Sequence, residues 1–241
     1  TDIAKASYQA AVEQDYAQHA LIPGLMNAHT HAAMSLFRGL SDDIALMDWL
    51  QNHIWPAESK WVNEDFVQCG TELAVAEMLR SGTTCFNDMY FFPDITARVA
   101  KNAGIRACIG LIVIDFPTVW ACNADEYIDK GIAVHDSFRN DDLITTTFAP
   151  HAPYTVSDQP LEKIRSFAHE MDLPITMHIH ETAHEVEEAV EKIIEKDIFH
   201  QRAVRCGKGT NVPAALLFKA VDAHIDFADG TLQGLLHRPP R

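Results

Sequence analysis

Positive charge is scarce in this chain. Its 241 residues include 19 lysines and arginines against 34 aspartates and glutamates, a formal net charge of −15. A surface of that sign repels phosphate backbones and anionic lipid, which argues against nucleic acid or a membrane as partner. Long apolar runs are lacking too. Stretches such as ACIGLIVI at 107–114 fall far short of the ~20 residues that cross a bilayer. No charged-then-apolar signal segment opens the sequence. Cysteines number five, and no CxxC pair occurs. Neither a disulfide framework nor a Cys-type zinc site is therefore expected, and a reducing, cytoplasmic setting fits. No GxGxxG loop follows the first strand-like run, which weakens a dinucleotide-binding reading. Short repeats and low-complexity linkers are missing as well.

What the chain does have is histidine, 13 in all, several of them beside strand-like runs, and 47% hydrophobic residues. That apolar content suffices for one sizeable core. Five runs read as strands: LIPGLM (21–26), GTTCFNDM (82–89), RACIGLIVI (106–114), LITTTFAP (143–150) and PITMHIH (174–180). Helical patterns separate or follow them at 63–82, 93–104, 123–138, 157–172 and 181–196, with Ser157 expected as an N-cap. Strand then helix, five times over, reads as βα units with parallel pairing. Parallel strands are covered on both faces, which accounts for runs without clean alternation. The fold class is α/β, either an open doubly wound sheet or part of a (β/α)8 barrel. In a barrel, functional groups collect at the C-terminal strand ends, where three of the five units carry histidine.

His29 and His31 lie two apart at the end of the first run, so strand alternation puts both rings on one face, able to share a metal ion. A surface pair leaving the strand is the blander reading. His178 and His180 repeat that spacing, and alternation allows either or both to face the site. Glu181 comes next, as a proton shuttle beside a metal or as a first-turn helix acid favoured by the dipole. His151 sits in a loop stiffened by Pro150 and Pro153, suited to orienting a substrate or to bonding the backbone. Asp88 reads as a partner for a metal-bound histidine or as a cap for the next turn of chain. In DWLQNHIWPAE (48–58), Trp49, Trp55 and Glu58 could hold a flat ring and its hydroxyls, or form an amphipathic helix. His53, His135, His169, His184 and His200 fall in helical patterns and receive no role.

LIPGLMNAHTHAAMSLFRGLSDD (21–43), APHAPYT (149–155) and MHIHETAHE (177–185) together resemble the amidohydrolase superfamily. The resemblance is strongest to the branch of methylthioadenosine/S-adenosylhomocysteine deaminases and their triazine-hydrolase relatives, from about residue 20 to about 192. It implies a (β/α)8 barrel of the metal-dependent hydrolase type, of which about five βα units are recognisable. The barrel part would span 1–192, with 193–241 an unassigned tail. The resemblance also implies one divalent metal, usually Zn2+, on His29, His31 and His178, with Glu181 as the catalytic acid–base and His180 without a metal role. His151 would contact substrate and Glu58 the ribose, with Trp49 in the same segment. The implied reaction is hydrolytic deamination of a nucleoside-like small molecule, with release of ammonia. A homo-oligomer is compatible with it. A related triazine-type ring hydrolase or chlorohydrolase is the alternative enzyme. An impaired fragment or binding module is the reading from another class.

Three departures accompany the resemblance. An arginine that some members place near the third strand has no counterpart in CIGLIVID (108–115). After residue 192 the expected strand-six histidine and strand-eight aspartate are not recognisable. DAHIDFADG (222–230) offers His224, Asp226 and Asp229, but in a context that does not match. The small β domain built from both chain ends is also absent, so the sequence predicts an under-ligated metal and little turnover.

Overall fold

The computed structural model describes residues 11–188, apart from 13, 15 and 17, and two short strands further on. Four parallel strands form one sheet in the order β1-β2-β3-β4. They are β1 (Leu25–Thr30), β2 (Thr83–Met89), β3 (Arg106–Val113) and β4 (Ile144–Pro150). The crossovers carry α1 (Trp55–Trp61), α2 (Glu64–Arg80), α3 (Pro93–Ala103) and α4 (Ala124–Phe138), and α5 (Asp158–Met171) follows β4. This is the successive βα pattern that the sequence predicts. β5 (Ala203–Cys206) and β6 (Thr210–Pro213) pair antiparallel as a separate hairpin. The remainder of the predicted last helix, beyond 188, and His224, Asp226 and Asp229 lie outside the described residues. No helix among the described residues is long and apolar enough to cross a membrane.

Helix ends follow local chemistry. Asn63 caps α2 by accepting from the Phe66 N–H at 2.9 Å, and Asn123 caps α4 through Glu126 N–H at 3.0 Å. α3 opens on Pro93 and ends at Gly104, whose φ of 73° suits glycine. Ser157 occupies the cap position of α5 but makes no side-chain cap bond. Its N–H instead donates to Asp115 Oδ2 at 2.8 Å, which ties the start of α5 to the residue just after the third strand-like run.

The core lies between sheet and helices, with Phe86, Ile109, Leu111, Phe148, Tyr127 and Ile164 fully buried. Burying each such side chain contributes roughly 1.5–3 kcal/mol. β3 and β4 run in register from Ala107↔Ile144 to Val113↔Pro150. β1 and β2 do not. Their pairing slips between Leu25↔Thr83 and Met26↔Cys85, and again between Asn27↔Phe86 and Thr30↔Asp88, where β1 carries one extra residue across the stretch that holds His29. A bulge of this kind re-aims the side chains beside it. Gly70 lets α2 close onto the 3-10 segment Ala32–Phe37 that follows His31, since a Cβ there would lie 2.3 Å from Ala33 O.

Two strand boundaries differ from the sequence reading. The first strand is Leu25–Thr30 and not 21–26, because pairing starts where Leu25 N–H meets Gly82 O, and Leu21 and Ile22 stay exposed. The fifth, expected over 174–180, contributes a single parallel bridge, Phe148↔Ile175. Phe148 N–H donates to Pro174 O at 3.0 Å, Thr176 N–H donates to Phe148 O at 2.9 Å, and His178 N–H reaches His151 O at 3.0 Å. Extended pairing then stops, because His180 adopts a left-handed φ of 61° and its N–H turns to Glu185.

Candidate metal centre

The strand ends bring together four histidines from three places in the sequence. His29 comes from β1, His31 from its exit, His151 from the exit of β4 and His178 from beyond the fifth bridge. The ring centroids of His29 and His178 are 4.9 Å apart, those of His31 and His178 5.1 Å, and those of His151 and His178 5.2 Å. One nitrogen from each of His29, His31 and His178 lies within 4.8 Å of the other two, so these three could hold a metal ion.

Hydrogen bonds fix which nitrogen faces inward. His31 Nδ1 sits 2.7 Å from Met89 O, and a carbonyl only accepts. Nδ1 therefore carries the proton, and Nε2 keeps its lone pair. That Nε2 lies 3.3 Å from His29 Nε2. Two nitrogens bound tetrahedrally to one zinc at 2.0–2.1 Å would be separated by about 3.3–3.4 Å. His178 Nε2 is buried and makes no hydrogen bond. A buried nitrogen without a proton partner is costly unless something else takes its lone pair. Burial, opposed by the Met89 bond and aided by the charge of His29, lowers the pKa of His31 to about 4. Burial, with His31, His151 and His29 in support, lowers that of His178 to about 2. Uncharged imidazoles with inward lone pairs are what a divalent cation requires.

Asp88 is fully buried and accepts from the Ala32 N–H at 2.6 Å and from Thr30 Oγ1 at 2.8 Å. These bonds go to the turn that follows β1, neither to a histidine ring nor to the chain that follows Asp88, so neither of its two sequence readings describes them. Asp88 pins the turn on both sides of His31, and burial pushes its carboxyl up to about 6.

His151 is held by Thr155. The threonine hydroxyl donates to Ala152 O and accepts from Ala152 N–H, both at 3.1 Å. Its remaining lone pair accepts from His151 Nδ1 at 2.9 Å, which leaves His151 Nε2 as an acceptor. Burial, with His31 nearby, lowers the His151 pKa to about 4. Glu181 is exposed, and Tyr154 donates its phenol to Glu181 Oε2 at 2.7 Å. Tyr154 also packs edge-on to His151 at 6.0 Å, which ties Glu181 to the histidine group.

Glu58, on α1, accepts from Tyr90 Oη at 2.8 Å, and Tyr90 directly follows Met89. Burial pushes the Glu58 carboxyl up to about 7 from 4.5, against the lowering effect of the Tyr90 bond. Trp49 starts the π-helical stretch Trp49–Ile54 that leads into α1, and its indole N–H donates to Ser41 O at 3.0 Å. Trp55 packs edge-on against Phe116 at 5.7 Å, in keeping with the amphipathic reading of that segment. Tyr90, Tyr154, Thr155 and Glu185 escaped the sequence reading. Only Glu185 had a visible signal, the Thr182-x-x-Glu185 capping box.

The raised Glu58 pKa fixes a sign for stability. Below about pH 4.5 the carboxyl is neutral whether the chain is folded or not. Between 4.5 and about 7 the folded state alone retains the proton, so stability falls as pH rises through that window. Glu58→Gln should therefore raise the thermal midpoint at pH 8, by about 2–4 °C for each kcal/mol recovered. The gain should vanish below pH 4.5. Equal midpoints for the two proteins across this range would show that Glu58 is not strained by burial.

Comparison with known proteins gives a consistent picture. A sequence profile of the amidohydrolase family matches residues 20–234. A 5-methylthioadenosine/S-adenosylhomocysteine deaminase of Saccharophagus degradans is 56% identical over 182 residues, 73% of this chain and 41% of its own. A 5'-deoxyadenosine deaminase of Methanococcus maripaludis is 46% identical over 178 residues, 71% of this chain and 40% of its own. The crystal structure of an adenosine deaminase from Xanthomonas campestris, with bound zinc, superposes with a TM-score of 0.68 at 54% identity, covering 70% of this chain and 39% of that one. The chain thus spans about two fifths of the length of these relatives.

Proposed function

The chain belongs to the amidohydrolase family, and from that premise we propose that it is part of a zinc-dependent deaminase of adenosine derivatives. The substrate class is methylthioadenosine, S-adenosylhomocysteine or a related 5'-modified nucleoside, and the products are an inosine-type nucleoside and ammonia. The observation that carries this reading is the convergence of three imidazoles on one point, one of them with a buried nitrogen that makes no hydrogen bond. The names of the relatives, and the zinc in one of them, support it.

His29, His31 and His178 would hold one divalent ion per subunit. When bound, such an ion acts as a Lewis acid and lowers the pKa of water toward neutrality. Glu181 takes a proton from the attacking water, passes it to the ring nitrogen, and then helps ammonia leave. Tyr154 holds the Glu181 carboxylate in place for these transfers. His151 presents Nε2 as an acceptor and orients the substrate by a hydrogen bond. Glu58 receives the ribose hydroxyls, and Trp49 flanks the same segment. The cysteines described are all unpaired, which suits a cytoplasmic enzyme.

The test is to load the complete enzyme that carries this chain with zinc and offer methylthioadenosine and a chlorinated triazine side by side. Ammonia from the nucleoside and no chloride from the triazine is the expected result. Chloride release alone would move the assignment to a triazine-type hydrolase. No turnover of either substrate, with zinc bound, would leave a binding module.

A further inference from the structure

We propose that Glu185 is a positioning residue for Glu181, acting by clamping the backbone at residues 180–181. The proposal rests on the catalytic reading of Glu181 given above. Glu185 is buried, at 6% exposure, although it is a carboxylate one turn into a helix. Its Oε1 accepts from His180 N–H at 2.7 Å and its Oε2 from Glu181 N–H at 2.9 Å. Thr182 completes the arrangement by accepting from Glu185 N–H at 3.1 Å.

Ordinary capping does not account for this pattern. In a capping box the acid at the third helical position returns to the N–H of the cap residue itself. Here the cap is Thr182, and the acid reaches past it to the two preceding amides. Those amides belong to the left-handed turn at His180, where φ is 61°. A histidine pays for that conformation and holds it only when its surroundings fix it.

The turn has a consequence for the site. In an extended strand, residues 178 and 181 would point to opposite faces, because their spacing is odd. A single left-handed residue between them breaks the alternation. His178 then joins the histidine cluster while Glu181 meets Tyr154, which packs on His151. The clamp thereby lets one short segment present both an imidazole and a carboxylate to one site.

The experiment compares Glu185→Gln, His180→Gly and the double variant in the complete enzyme that carries this chain, each loaded with zinc. Glutamine keeps one acceptor but sets an NH2 against the second amide. Hydrogen exchange at the amides of 180 and 181 should accelerate about 10–100-fold, the equivalent of one charge-assisted hydrogen bond. kcat for methylthioadenosine should fall by a similar factor of about 10–100, with KM and zinc content little changed. Glycine adopts the left-handed turn without strain, so the double variant should regain part of the lost kcat. If Glu185→Gln costs folding, Glu185→Asp gives the same readout, since it keeps the charge but reaches less far. Unchanged exchange at 180–181, or a double variant no faster than Glu185→Gln, overturns the clamp. Accelerated exchange with deamination intact in both Glu185→Gln and Glu181→Gln upholds the clamp and overturns the catalytic reading of Glu181.

Discussion

In a complete, active enzyme carrying this segment, Glu181→Gln should retain its metal and lose about 10²–10⁴ in kcat, the usual contribution of general acid–base catalysis. The substitution is close to isosteric, and the amide oxygen can still accept the Tyr154 phenol that now holds Oε2. The backbone contact to Glu185 does not involve the side chain of residue 181 at all. Position and packing are therefore kept while proton transfer is lost, because an amide cannot take a proton from water near neutral pH. The three imidazoles proposed to hold the metal are untouched, so zinc content should stay at the level of the unaltered protein. KM should change little if Glu181 acts chiefly in the transition state. Turnover within a few-fold of the unaltered protein would reassign Glu181 to a structural part in the helix start. Loss of zinc together with turnover would mean that Glu181 supports the ligands and does not move protons.

How much of this was legible in the sequence depends on the range of each interaction. His29 and His31 were readable because strand alternation is local, and the extra residue in β1 adjusts their aim without separating them. The end of the fifth run was not readable. MHIHE continues an apolar alternation, and what stops it is a carboxylate at 185 bonding to amides at 180 and 181. Alternation alone could not choose between His178 and His180. The family resemblance supplied that choice, and the left-handed turn at His180 is the physical reason for it. The first strand was placed too early because LIPG is as apolar as a strand, yet Leu21 and Ile22 stay exposed and pairing begins with Leu25 opposite Thr83. The partners of His151 and Glu58 lay beyond periodicity. Thr155 is chosen by loop geometry around two prolines, and Tyr90 meets Glu58 across 32 positions of sequence.

His178→Ala should lose its metal, and His180→Asn should not. Removing an outer partner of a ligand already costs about 10–100-fold in affinity, so removing one of three imidazoles should cost at least that much. The two substitutions lie two residues apart on one segment, which makes their contrast specific. His178 is buried in the cluster and its Nε2 has no hydrogen-bond partner, whereas His180 is exposed. Asparagine tolerates the left-handed turn at 180, so the backbone that carries Glu181 should persist in that variant. Metal binding also stabilises the fold by mass action, by about 4 kcal/mol when free zinc exceeds its dissociation constant a thousandfold. At about 2–4 °C per kcal/mol, zinc should then raise the thermal midpoint of the unaltered protein by roughly 10 °C. It should do the same for His180→Asn and much less for His178→Ala. Calorimetry with and without zinc, paired with metal analysis after dialysis, reads both effects. A zinc-dependent rise preserved in His178→Ala, or absent in His180→Asn, would mean that the ion is held by a different set of donors from the three imidazoles at these strand ends.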